Sequence, residues 1–374
     1  MKVKAAVLSE TGKPRPYANS LPLSIEEVEL DSPQSGEVLV QIKAAGLCHS
    51  DLVAVDGERA KPMPIVIGHE AAGIVCKLGP EVERLAVGDH VVTSYVASCG
   101  RCDMCQEGRP ALCHPATEAN KAGTLIDGTT RLHNNGQRIY HHSGVAAFSE
   151  HAVISQNALV KIDPKIPFEV AALFGCAVVT GVGSVVNTAK VSPGQSVAIV
   201  GLGGVGLNAL LASIASGAGK VIAVDVKENK LKIASQLGAH DTFNSTLENC
   251  VEQILDLTDG GVHFAFETAG VSPALDLAYK ITRRGGMTVV AAMPGPEATI
   301  TLSHLSLSAE ERIIKGSYMG SCIPSRDIPR YIGLYKKDSL PVDQLLGDRF
   351  SFNGLNEAFD RLADGEALRQ ILIL

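Results

Sequence analysis

A chain of 374 residues exceeds the size at which a single hydrophobic core stops growing, and 45% hydrophobic residues supply enough apolar material for two cores. A formal net charge of −7, with no run of Lys and Arg, excludes a partner held mainly through phosphate-backbone attraction, so no nucleic acid is expected. The apolar run in Met1 to Leu8 is too short for a signal-peptide core, and stretches such as Ala209 to Ala215 are broken before spanning length, so a cytoplasmic protein without a membrane helix is expected.

In chain order, Val38, Val40 and Ile42 alternate with Glu37, Gln41 and Lys43, and Ala72 to Lys77 and His90 to Thr93 are short apolar runs bounded by Gly73, Gly79 and Gly88. This texture predicts a compact β-rich domain. From about Ala177 strands alternate with amphipathic helices. Ser196 to Val200 reads as a buried strand, and Leu207, Leu210, Leu211 and Ile214 recur at helical spacing. Val221 to Val224 is the next strand, Glu228 to Leu237 a helix stopped by Gly238, and Val262 to Phe266 and Thr288 to Ala292 are further strands. The order predicts a parallel sheet covered on both faces. Beyond Gly320 the texture is mixed again, ending in a strand over Arg369 to Leu374.

Gly201-Leu202-Gly203-Gly204-Val205-Gly206 is a G-x-G-x-x-G motif between a predicted strand and helix, with a second strand ending at Asp225. Glycines there allow close backbone approach, so that a pyrophosphate sits at the helix N-terminus. Asp225 is placed to bond the adenosine ribose hydroxyls, and its charge repels a 2′-phosphate, which favours NAD over NADP. Asp225→Ser is therefore expected to raise relative use of NADP.

The nine cysteines read as metal ligands and thiols rather than as a disulfide framework. Cys99, Cys102, Cys105 and Cys113, at C-x2-C-x2-C-x7-C spacing, can close a tetrahedral shell by themselves, the signature of a structural zinc. Cys48, His69 and Cys176 are dispersed and leave a fourth corner open for chemistry.

With Gly46-Leu47-Cys48-His49-Ser50-Asp51, Gly68-His69-Glu70, the four-cysteine lobe, Gly175-Cys176 and the Gly201 motif in this order, the chain resembles the zinc-dependent medium-chain alcohol dehydrogenases over essentially its whole length. The resemblance implies an α/β fold: a GroES-like β-rich catalytic domain over 1–177 and 321–374 with a structural zinc lobe at 96–116, and a Rossmann domain over 178–320. It implies two zinc ions per chain, the catalytic one on Cys48, His69 and Cys176, and NAD as cofactor. The zinc would activate a small-molecule alcohol or aldehyde for hydride exchange with the nicotinamide. Ser50 matches the hydroxyl that relays the alcohol proton, Asp51 the carboxylate that orients His69, and Glu70 a residue behind the ligands. Lys230 matches a residue near the adenosine ribose, Arg369 one on the pyrophosphate, and Thr180 one beside the nicotinamide.

The chain also departs from this pattern. Many members carry a histidine three residues after the relay hydroxyl, where this chain has Val53, so the proton leaves by water and ribose hydroxyls or by another base; His141 and His142 are candidates. His49 stands where an arginine often meets the pyrophosphate, which predicts faster cofactor release. Tyr95 matches an aromatic wall of the substrate pocket, and His142-Ser143-Gly144-Val145 is small where relatives are bulky, favouring primary aromatic or extended alcohols. The motif of the glutathione-dependent formaldehyde dehydrogenases is not evident around Ala116 to Ala122. Cys76, Cys250 and Cys322 are expected to be buried or partly buried thiols. The long segment between Cys113 and Cys176 resembles that of dimeric members, so a homodimer is expected, with a tetramer as alternative and the sheet edge near Ile300 to Ser306 as contact. Two rivals are a zinc-free NADPH-dependent reductase of the same superfamily, disfavoured by Asp225 and the ligand sets, and a non-catalytic dinucleotide-binding protein.

Overall fold

The computed structural model describes residues 1–365 and 367–374, which fall into two compact units. Met1–Cys176, Ile323–Pro329 and Asp343–Leu374 form the first; Ala177–Cys322 and Arg330–Val342 form the second.

The first unit is built on two sheets. Lys2–Leu8, Leu23–Leu30, Leu132–Asn134, Gln137–His141 and Ile65–Val66 close a barrel. The larger sheet runs Leu159–Lys161, His90–Thr93, Glu70–Leu78, Glu37–Gly46, Arg369–Ile373, Leu346–Phe350, with His151–Ser155 also on Glu37–Gly46. Val38, Val40 and Ile42 are buried as their alternation predicts, in a core with Phe148 and Phe359. The C-terminal strand pairs antiparallel with the strand that leads into Cys48, setting Ile371 opposite Gly46.

The second unit is a six-stranded parallel sheet in the order Asp241–Asn244, Lys220–Asp225, Ser196–Val200, Val262–Glu267, Thr282–Val290, Ile313–Gly316. Helices Gly204–Ala215 and Glu228–Gln236 form where the apolar spacing predicts them. Leu207, Leu210 and Leu211 are buried, but Ile214 is exposed. The expected sheet edge near Ile300 to Ser306 is corrected: the outer strand is Ile313–Gly316, and His304–Ala309 is helical. Among the described residues no helix is long and apolar enough to cross a membrane.

Candidate active site

The strand Glu37–Gly46 delivers the chain to Cys48, which caps the helix His49–Asp56 from an extended backbone conformation. Asp51, in the first turn, returns its Oδ2 to the backbone N–H of Cys48 at 3.2 Å, the reciprocal half of a capping box. Its Oδ1 accepts three further donors: the Gly68 N–H at 3.1 Å, His69 Nδ1 at 3.0 Å and His142 Nδ1 at 3.1 Å. Burial would raise the Asp51 pKa, but the two imidazoles hold it well below the usual carboxylate range.

With Nδ1 on Asp51, His69 is left with Nε2 for the thiols. The ligand-type atoms of Cys48, His69 and Cys176 all lie within 4.8 Å of one another, with the two sulfurs 3.9 Å apart. The hydrogen bond from Cys176, helped by His69 and opposed by burial, brings the Cys48 thiol well below its ordinary pKa; the same bond, with burial, pushes Cys176 up. Two sulfurs and one imidazole fit zinc, and three donors leave one tetrahedral position open.

Behind this trio, Glu70 is fully buried and accepts a hydrogen bond from Arg369 Nη2. Burial pushes Glu70 up to about 7 against the pull of Arg369. Gly46 allows the packing, because a Cβ there would stand 2.3 Å from Glu70 Oε1. The Tyr95 ring lies edge-on to His69 with centroids 5.5 Å apart, and its carbonyl accepts from Asn120 Nδ2 at 2.8 Å.

The four-cysteine lobe is built locally. Its sulfurs also lie within 4.8 Å of one another, and backbone N–H groups point at them: Cys99 N to Cys113 Sγ at 3.2 Å, Cys102 N to Cys99 Sγ at 3.3 Å. Only Cys113 is buried. Burial opposes ionisation of Cys99, but the N–H groups of Arg101 and Cys102 bring it down to about 6, whereas burial pushes Cys105 up to about 12. Four thiolates this close repel one another, so all ionise together only around a cation.

In the second unit the Gly201 motif makes the strand-to-helix turn. Gly201 has φ +96°, and a Cβ on Gly206 would stand 1.8 Å from the Gly201 carbonyl oxygen. Gly203, by contrast, faces open space, and the helix behind it has no side-chain cap, so its first N–H groups fit a phosphate. Asp225 closes its strand and accepts from the N–H of Leu202 at 2.7 Å and of Lys227 at 2.9 Å. Lys230 is buried, which lowers its pKa against the pull of Asp225. The Thr180 hydroxyl is buried and has no hydrogen-bond partner among the described residues.

Comparison with known proteins agrees with this geometry. Residues 34–165 match the alcohol dehydrogenase GroES-like domain, and residues 204–337 match the zinc-binding dehydrogenase family. S-(hydroxymethyl)glutathione dehydrogenase of Saccharomyces cerevisiae is 35% identical over 95% of this chain and 94% of its own. The NDMA-dependent alcohol dehydrogenase of Amycolatopsis methanolica is 37% identical over 100% and 99%. The crystal structure of benzyl alcohol dehydrogenase from Acinetobacter calcoaceticus superimposes with a TM-score of 0.93 at 34% identity, covering 100% and 99%. The chain belongs to the zinc-dependent medium-chain alcohol dehydrogenase family.

Within this alcohol dehydrogenase the site residues expected from sequence have different surroundings. Cys48, His69, Cys176, Asp51, Glu70 and Arg369 share the buried cluster; Ser50 is half-buried and His49 exposed on the same helix. Arg369, expected on the pyrophosphate, has its guanidinium on Glu70. Val53 is buried. Of the two candidate histidines only His142 reaches Asp51. His141 is buried elsewhere, its Nε2 accepting the Arg131 N–H at 3.0 Å while Arg131 pairs with Glu37. Sequence contains no signal for this split beyond the doublet itself, since the strand Gln137–His141 ends between the two residues. Cys250 and Cys322 are buried, but Cys76 is exposed, contrary to expectation, near the outer end of the strand Glu70–Leu78. A cavity of about 510 Å³, lined by residues such as Val7, Glu26 and Asn134, borders none of these groups.

Proposed function

We propose that this dehydrogenase interconverts primary aromatic or extended alcohols with their aldehydes, using NAD and two zinc ions per chain. The observation that carries the reading is the buried trio Cys48, His69 and Cys176, with His69 fixed by Asp51. Bound there, zinc supplies the Lewis acidity that makes an alcohol proton labile near neutral pH, and NAD supplies the hydride acceptor.

The residues of the chain do the rest. Asp51 fixes which nitrogen of His69 faces the sulfurs. Ser50 takes the alcohol proton and, being half-buried, passes it to water; position 53 offers no titratable group. The edge-on Tyr95 ring and the small residues Ser143, Gly144 and Val145 support a wide substrate pocket. Asp225 supports NAD over NADP, Lys230 is assigned to the adenosine ribose, and Thr180 to the nicotinamide.

The test is spectrophotometric. NADH formation with benzyl alcohol and a panel of extended alcohols is expected, with little use of NADP; activity on S-(hydroxymethyl)glutathione alone would overturn the substrate reading, and silence across the panel with zinc present would favour a non-catalytic protein. A homodimer through the outer strand and the helix that precedes it is supported by Ile313 on the strand, 47% exposed, and Leu305 on the helix, 75% exposed. Light scattering distinguishes it from a tetramer.

A further inference from the structure

We propose that His142 is a positioning residue for His69, acting through Asp51 Oδ1, the one oxygen that both imidazoles share. This rests on the reading of Cys48, His69 and Cys176 as zinc ligands.

An ionised carboxylate only accepts, so both Nδ1 atoms are N–H donors and each ring keeps Nε2 as its other nitrogen. For His69 that tautomer is the one that turns a lone pair toward the sulfurs. Asp51 also accepts the backbone N–H groups of Cys48 and Gly68, so the place of one carboxylate sets two ligand-bearing segments at once. Fully buried, it is shielded from bulk solvent.

His142 enters this arrangement from a different part of the chain. The strand Gln137–His141 pairs parallel with Ile65–Val66, placing His141 opposite Val66, and each strand then runs into its histidine, His142 on one side and His69 on the other. The ladder thus brings the two imidazoles to one oxygen, and their rings meet nearly edge to face, 5.4 Å between centroids and 80° between planes. The contact is therefore twofold: a charge-assisted hydrogen bond that fixes the carboxylate and a ring edge that limits rotation of His69.

The experiment measures zinc transfer from the zinc-loaded protein to an excess of a chromophoric chelator. Two phases are expected, one for each site, and Cys176→Ala identifies the phase of the buried trio by removing it. His142→Phe keeps a ring but has no donor, whereas His142→Asn keeps an N–H near the position of Nδ1. Phe is expected to accelerate the trio phase about 10-fold or more and leave the lobe phase unchanged, with Asn within about 3-fold of wild type. A trio phase indifferent to Phe, an Asn variant as fast as Phe, or equal acceleration of both phases overturns the proposal while leaving the zinc reading intact. A wild-type protein with no trio phase overturns both. A KM-against-kcat comparison on benzyl alcohol supports the proposal if Phe lowers kcat more than it raises KM.

Discussion

The two cysteine-rich sites hold similar donor atoms at similar spacing, yet they are made in opposite ways. The lobe draws its four sulfurs from residues 99 to 113 and orients them with its own backbone N–H groups, most of it half-exposed. The trio draws on segments around 48, 69 and 176, and its order comes from a carboxylate that is not itself a ligand in this reading. A closed site can be specified by a short stretch of sequence, whereas an open one, which has to keep a position free, needs the surrounding fold to hold its donors apart.

This contrast can be broken at Asp51. Asp51→Ala strands four buried donors, so kcat/KM is expected to fall about 100-fold or more with loss of trio zinc, while the lobe keeps its metal. Zinc counts on the purified variant beside its kinetics check this, and loss of lobe zinc as well would show the two sites to be one cooperative structure. The reverse experiment is Cys113→Ser. It should leave the lobe metal-poor and open to proteolysis near residues 99 to 122, with the trio still loaded and activity reduced less than about 10-fold at first, because structural zinc contributes folding energy locally. Limited proteolysis followed by zinc analysis reads this out.

Acid acts on the first unit away from both sites. Burial, reinforced by Arg131, lowers the pKa of His141 to about 4. The unfolded chain takes up this proton from about pH 6.5 downward and the folded chain only near 4, so stability is flat above this window and falls by about 3 kcal/mol across it. Urea titrations at several pH values should show that slope flattened in His141→Gln. Gly206→Ala puts a Cβ against the Gly201 carbonyl; it should weaken NAD binding by about 1 kcal/mol or more and leave both metal sites untouched. Nucleotide titration by fluorescence measures it.

What could be read from the sequence follows the same division. The lobe, the glycine turn and the helix Gly204–Ala215 were legible because each is specified by spacing within a short window. The fate of the His141-His142 doublet was not, because it depends on the pairing of Gln137–His141 with Ile65–Val66, a register set by residues far away in sequence. The same holds for Arg369, whose partner Glu70 is known only once the C-terminal strand has found Glu37–Gly46. The exposure of Cys76, and of Ile214 at the end of its helix, is a related case: periodicity says which residues share a face, but not where the neighbouring element ends.

That C-terminal strand has a bearing on biosynthesis. Glu70 and Arg369 are 299 positions apart, and the residues between them include the whole parallel sheet. On the ribosome the end of that strand, Ala44–Gly46, therefore waits for its partner until residues 369 to 373 have been made, with the buried carboxylate of Glu70 still without its cation. The intervening unit has the opportunity to fold first, and the arginine behind the trio arrives after all three ligand residues, so the short unpaired edge beside two thiols stands exposed to mispairing in the meantime.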